Sequence, residues 1–159
     1  MDTILTITLN PAIDRTVQIP GFTEGAVNRA GPEQRSPGGK GVNVASALAG
    51  AGHRVAVTGL LGRDNAALFE EIFDRAGIAD RFVRVAGETR TGIKILDPDR
   101  ARTTEINFPG LPADPRALET LALMLDRLDA RWFVLSGSLP PGMDPHFYTG
   151  WVARLRSRG

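Results

Sequence analysis

At 159 residues the chain has the length of a single domain, and 42% hydrophobic with 23% charged residues is the composition of a folded protein rather than a disordered one. Lys+Arg of 19 against Asp+Glu of 18 gives a net charge of +1, which argues against a wholesale nucleic-acid binder. The absence of cysteine excludes disulfides, iron–sulfur clusters, cysteine-ligated zinc and thiol catalysis, and His53 and His146 cannot complete a zinc site by themselves. The N-terminal residues lack the pattern of a signal peptide and no apolar run is long enough to span a bilayer, so the expectation is a cytoplasmic protein without a membrane partner.

Residues 3–9 (TILTITL) alternate β-branched and apolar side chains and predict a strand, which Asn10-Pro11 stops. Residues 14–19 alternate again up to the turn pair Pro20-Gly21, and residues 26–36 predict a solvent-facing strand. After the glycine run 38–41, Val44, Leu48 and Ala51 fall at helical spacing, with Gly50 and Gly52 as the stop. Residues 54–61 (RVAVTGLL) predict a strand buried on both faces. Asp64 is placed to cap a helix that carries Phe69, Ile72, Phe73 and Ala76 on one stripe and stops at Gly77. This strand–helix alternation predicts a doubly wound α/β fold.

Residues 81–85, 91–96 and 103–108 then predict three short strands of a small sheet with one wet face. Asp114-Pro115 opens a helix with Leu118, Leu121, Ala122, Leu125 and Leu128 on one side. Residues 132–135 (WFVL) predict a buried strand, followed by the loop Ser136-Gly137-Ser138-Leu139-Pro140-Pro141-Gly142. Residues 144–158 predict an amphipathic helix with Phe147, Trp151 and Leu155 inward, and Arg154, Arg156 and Arg158 form its solvated end rather than a nucleic-acid surface. A further strand is due after that helix, so residues 1–159 are expected to be an incomplete domain with an unfinished sheet edge at WFVL.

Glycines at a helix entrance let a ligand approach the backbone, and the free amides there attract anions, so Gly38, Gly39 and Lys40 are candidates. The run is not a P-loop, because Gln34 replaces the first glycine and Gly41 follows Lys40 where Ser or Thr is needed. By itself it fits a tight turn as well as an anion site. Asp14 follows the first strand's carboxyl end, where α/β sheets bind ligands, and could accept bonds from vicinal hydroxyls or from its own backbone. Asn43 lies one turn into the helix, and Arg90 offers a guanidinium that matches phosphate oxygens. Glu105 and Asn107 share one strand face, and Ser138 stands in a loop stiffened by two prolines. Three carboxyl-end loops and one arginine thus suit a polyhydroxylated anionic small molecule.

The segments Thr8-Leu9-Asn10-Pro11-Ala12-Ile13-Asp14, Pro37-Gly38-Gly39-Lys40-Gly41-Val42-Asn43-Val44-Ala45, Thr89-Arg90-Thr91 and Ser136-Gly137-Ser138-Leu139-Pro140-Pro141-Gly142 occur in order. In this the chain resembles the phosphosugar branch of the ribokinase-like (PfkB) carbohydrate kinases, from residue 3 to its end. The resemblance implies an α/β/α mostly parallel sheet with a discontinuous β lid from about 14–36 and 88–108, and a homodimer clasped through that lid. It implies ATP and Mg²⁺ as cofactors and a ketose phosphate as acceptor: fructose 1-phosphate, or alternatively tagatose 6-phosphate or fructose 6-phosphate. Asp14 and Asn43 would hold sugar hydroxyls, Gly38 and Gly39 would present amides, Lys40 and Arg90 would meet phosphate, and Ser138 would close the floor. Arg29 is a further phosphate candidate. The family's Asn-x-x-Glu and Gly-Ala-Gly-Asp motifs, the latter carrying the catalytic base, are not found in these residues. The chain is therefore expected to supply the sugar-phosphate site, with no catalytic residue or metal ligand assigned, and to be inactive as a kinase alone. A non-catalytic sugar-phosphate-binding or dimerisation fragment is the competing expectation.

Overall fold

The computed structural model describes residues 3–157. At its centre is β1 (Ile4–Thr8), paired in parallel with β4 (Val55–Gly62) on one side and β9 (Trp132–Leu135) on the other. β5 (Ala79–Asp80) and β6 (Val83–Val85) both add in parallel along β4. Strand alternation distributes side chains to two faces. Leu5, Ile7 and Leu9 of the β1 segment join Ala56 and Leu60 against α3 (Pro115–Arg127), through Ala117, Leu121 and Leu125. Phe147, Trp151 and Leu155 of α4 (Phe147–Arg156) pack on this cluster. The opposite face places Val55, Val57 and Leu61 against α1 (Lys40–Gly50) and α2 (Ala67–Ala76), through Val42, Ala45, Phe69 and Phe73. Three layers result, α/β/α, with a largely parallel sheet in the middle.

Thr6 and Thr8 face α1, and Gly41 lets the helix come close: a β-carbon there would lie 2.2 Å from Thr8 Oγ1. The first turn of α1 is thereby seated directly over the carboxyl end of β1.

A second sheet has the order β3-β2-β7-β8. β2 (Ala12–Gln18) runs antiparallel to β3 (Glu33–Gly38) and parallel to β7 (Thr91–Asp97), which pairs antiparallel with β8 (Arg102–Asn107). Ala12, Gly38 and Thr91 lie where these strands meet the main sheet's carboxyl end. Its first full row is Ser36–Asp14–Gly92–Asn107.

Several expectations from sequence are corrected. The third strand starts at Glu33, because residues 26–32 form a loop held by Asn28 bonding Thr23 and Ala26. The 81–85 stretch belongs to the main sheet, where Val83–Val85 extends β4 rather than the small sheet. Every residue of β8 is exposed, so this strand has no dry face. Asp64 does not cap α2, which starts after Ala66; its own backbone amide bonds the Gly87 carbonyl instead. The buried line on α1 is Gly41, Val42 and Ala45, while Ala51 is its exposed C-cap. Asp144 makes a turn to the His146 amide at 2.8 Å, delaying α4 to Phe147. Trp132 is 62% exposed, because β9 lies at the sheet edge. Arg158 lies outside the described residues.

Candidate functional site

The Asn10–Pro11 stop at the end of β1 organises the site. Its neighbour Thr8 carries a buried hydroxyl under α1, and Gly39 caps that helix at φ 107°. Only glycine is at ease there, and a β-carbon would also meet Thr8 at 3.0 Å and Pro11 at 3.1 Å. α1 therefore begins with its amide groups over the crevice, with no side-chain cap and no acidic residue in the first turn. Lys40 is exposed at this entrance, and Asn43 is exposed one turn further.

Asp14 reaches the same entrance from β2. A β-carbon on Gly38 would lie 2.6 Å from the Asp14 carboxyl, so the carboxylate rests on the bare backbone that leads into α1. Gly92 lies on its other side, where a β-carbon would come within 2.9 Å of Oδ1. Lys94 Nζ donates to Asp14 Oδ2 at 3.2 Å. The Asn107 side chain leans towards the same hollow, 3.4 Å from the position of a β-carbon on Gly92.

From the opposite wall, Asn10 Nδ2 donates to Ser138 Oγ at 3.2 Å and to the Leu139 carbonyl at 3.3 Å. The Arg90 guanidinium donates to the carbonyls of Asn10 at 3.4 Å and Phe108 at 3.3 Å, and its Nε is buried without a partner. The loop after β9 is seated by Tyr148, whose hydroxyl donates to the Gly137 carbonyl at 3.2 Å; burial raises the phenol's pKa. Gly137 has φ 117°, and a β-carbon built on it would lie 3.9 Å from Lys40. Arg90 borders two hollows: one of about 20 Å³ between Asn10, Thr89 and Leu111, too small for a sugar, and an open one of about 300 Å³ shared with Arg15, Glu88, Thr91 and Phe108.

The contacts thus link Asp14 to Gly38, Gly39 to Pro11, Asn10 to Ser138 and Arg90, and Gly137 to Lys40. Asn43 lies on the same helix turn. Arg29 is exposed in the 26–32 loop, and no contact among the described residues ties it to the others. Sequence reading assigns no role to Asn10 or Lys94, which bond Ser138 and Asp14 here. Lys94 carried a signal, being one of two lysines in a chain rich in arginine and two residues from Gly92 on one strand face.

The resemblance to carbohydrate kinases implies a nucleoside triphosphate and a divalent metal. Among the described residues no group of three or more His, Asp or Glu side chains could hold a metal ion, and the Asp14 carboxylate is already paired. Magnesium at phosphoryl-transfer sites is held by one or two carboxylates together with substrate phosphates, and no step through magnesium is assigned to these residues. No helix of the described residues is long and apolar enough to cross a membrane.

Known proteins resemble this chain in sequence and in fold. The chain is 48% identical over 159 residues to 1-phosphofructokinase of Rhodobacter capsulatus, covering 98% of this chain and 50% of the relative. The crystal structure of a possible 1-phosphofructokinase from Thermotoga maritima superposes with a TM-score of 0.85 at 36% identity, covering 99% of this chain and 51% of the other. Phosphofructokinase-2 from Escherichia coli, crystallised with fructose 6-phosphate, superposes at 0.91 over 100% of this chain and 53% of its own; at 22% identity it speaks to the fold alone. The chain spans about half the length of the relatives it matches. The family model for pfkB family carbohydrate kinase matches residues 7–159, so the chain belongs to the PfkB carbohydrate kinases and has their ribokinase-like fold.

Proposed function

We propose that this chain provides the acceptor site of an ATP- and Mg²⁺-dependent ketose-phosphate kinase that converts fructose 1-phosphate to fructose 1,6-bisphosphate. The observation that carries this reading is the meeting of Asp14, the glycine entrance of α1, Arg90 and Ser138 around one crevice. The 1-phosphofructokinase name of the Rhodobacter relative supports the choice of sugar.

On this reading Asp14 accepts hydrogen bonds from vicinal sugar hydroxyls, as an ionised carboxylate can. The Gly38 and Gly39 backbone and the Asn43 amide hold the sugar. Arg90 and Lys40 meet its phosphate, Arg29 is a further source of charge from the 26–32 loop, and Ser138 forms the floor beneath. The second sheet acts as a lid that excludes water from the transferable phosphoryl group. Such catalysis is mostly positioning and electrostatics, and the residues named here position the acceptor. The base that takes the proton from the 6-hydroxyl is not among them. Ile106 and Phe108, 45% and 48% exposed at the β8 edge, support a homodimer formed through the lid. A cytoplasmic location fits a reaction on sugar phosphates.

Calorimetric titration of the protein with fructose 1-phosphate, tagatose 6-phosphate, fructose 6-phosphate and unphosphorylated fructose tests the proposal. Fructose 1-phosphate is expected to bind tightest and fructose not measurably. Equal affinity for all four would refute a phosphosugar site. A parallel ATP-coupled assay separates the kinase reading from a purely binding role. The 159-residue chain is expected to bind the sugar without turnover.

A further inference from the structure

Lys94 sits on β7 directly opposite Thr16 of β2 and Glu105 of β8. The carboxylate facing it in register is therefore Glu105. Its ammonium instead reaches diagonally to Asp14 Oδ2, at 3.2 Å, two register positions along β2. A direct cross-strand partner is normally the closer one, so the diagonal choice needs a cause. Gly38 and Gly92 supply it. Neither has a side chain, and the Asp14 carboxylate lies between them, 2.6 Å and 2.9 Å from where their β-carbons would be. This trough brings Asp14 within reach of Lys94. The Asp14 side chain keeps 18% of its surface open and Lys94 keeps 37%, so the pair remains accessible from the crevice.

We propose that Lys94 is the positioning residue for Asp14. By holding Oδ2, it fixes the carboxylate's rotation so that Oδ1, over Gly92, is presented to the hydroxyls of an incoming sugar. The inference rests on the sugar-phosphate reading above and extends it. Lys94 acts through Asp14 and does not itself bind the phosphate. An ammonium left alone would sample many rotamers, and so would an unpaired carboxylate; pairing them removes that freedom before the ligand arrives.

The test is titration calorimetry with two probes, fructose 1-phosphate and inorganic phosphate, on the wild type, Lys94→Met, Lys94→Arg, Asp14→Asn and the Lys94→Met/Asp14→Asn double variant. Thermal melts confirm that each is folded. Lys94→Met is expected to weaken fructose 1-phosphate about tenfold, the loss of roughly one charge-assisted hydrogen bond's worth of orientation. Lys94→Arg is expected to restore most of it, and the double variant to bind no more weakly than Asp14→Asn. Inorganic phosphate affinity should be the same in all folded variants. An unchanged fructose 1-phosphate affinity in Lys94→Met, full additivity with Asp14→Asn, or a parallel loss of inorganic phosphate binding would overturn the proposal. If the wild type fails to bind fructose 1-phosphate, the sugar-phosphate reading falls and the role of Lys94 falls with it.

Discussion

The side-chain amide of Asn10 donates to the Ser138 hydroxyl at 3.2 Å, joining residues 128 positions apart in the chain. The same amide holds the Leu139 carbonyl, and the Asn10 carbonyl accepts from Arg90. One residue at the end of β1 thus ties the loop after β9 to the strand segment that carries the arginine. Gly110 makes room for it, since a β-carbon there would lie 2.0 Å from Asn10 Oδ1. Asn10→Ala is expected to lower stability by about 1 kcal/mol, the net worth of a part-buried hydrogen-bond donor. It is also expected to weaken fructose 1-phosphate roughly tenfold and to speed hydrogen exchange in residues 136–139. Exchange rates in that loop identical to the wild type would show that Asn10 is a passenger.

Gly38→Ala separates binding from folding. Gly38 is outside the left-handed region, so alanine is compatible with its backbone. The atoms nearest an added β-carbon are those of the Asp14 carboxyl, at 2.6 Å, and that side chain can swing away. The variant is expected to melt within a few degrees of the wild type. It is expected to bind fructose 1-phosphate at least about tenfold more weakly, because Asp14 leaves its trough. Retained affinity would mean that Asp14 does not contact the sugar.

Much of the architecture was legible because local signals agree. Asn10-Pro11 ends β1, Asp14 follows at the strand's carboxyl end, and the glycine run opens α1, so the order of strand, turn and helix already placed these groups near one crevice. Leu121 and Leu125 were readable from helical spacing and are buried as expected. What escaped depends on partners distant in sequence. Lys94 looks like one charge on an alternating strand until β2 pairs beside β7 and brings Asp14 from 80 positions away. Val83–Val85 alternates like a surface strand, yet its parallel pairing with Leu60–Gly62 is a tertiary choice that alternation cannot specify. WFVL was expected at a sheet edge and lies at one, but its composition reads as buried, and the exposure of Trp132 follows from that edge rather than from the segment's own residues.

Two glycine substitutions should have opposite effects on stability. Gly59 pairs with Thr8 across the β4–β1 ladder at φ 136°, and a β-carbon there would lie 1.8 Å from the Thr8 carbonyl oxygen. The obstacle is backbone, so the central strands must part, and Gly59→Ala is expected to cost at least about 3 kcal/mol or to prevent folding. Gly50, the last residue of α1, would place its β-carbon in open space and has ordinary helical geometry. Gly50→Ala is expected to stabilise by about 0.5 kcal/mol through lower unfolded-state entropy and better helix propensity. Urea denaturation of the two variants measures both, and a mild effect at Gly59 would contradict the close approach of β4 and β1.

Asp97 ends β7 with 5% of its surface exposed, and its carboxylate gathers the turn around the second sheet. Oδ1 accepts from the amides of Gly21 at 2.9 Å and Asp99 at 3.2 Å, while Oδ2 accepts from Arg100 at 2.9 Å. Arg100 also donates to the Phe22 carbonyl at 2.9 Å, closing a bridge between the 20–23 loop and the β7–β8 turn. Burial disfavours the charge, yet the hydrogen bonds from Arg100 and Gly21 outweigh it and hold the pKa below the ordinary aspartate value. A group whose pKa is depressed by folding stabilises the native state fully above its unfolded pKa, about 3.9 for Asp, and loses that contribution as pH falls through the lower folded value. Asp97→Asn is therefore expected to be less stable than the wild type at pH 7, with the difference shrinking as the pH falls below about 4. Denaturation curves of both proteins between pH 3 and pH 7, bounds that span roughly the aspartate range, check this. A gap that stays constant over that range would show that the shape of the Asp97 side chain, and not its charge, holds the two turns together.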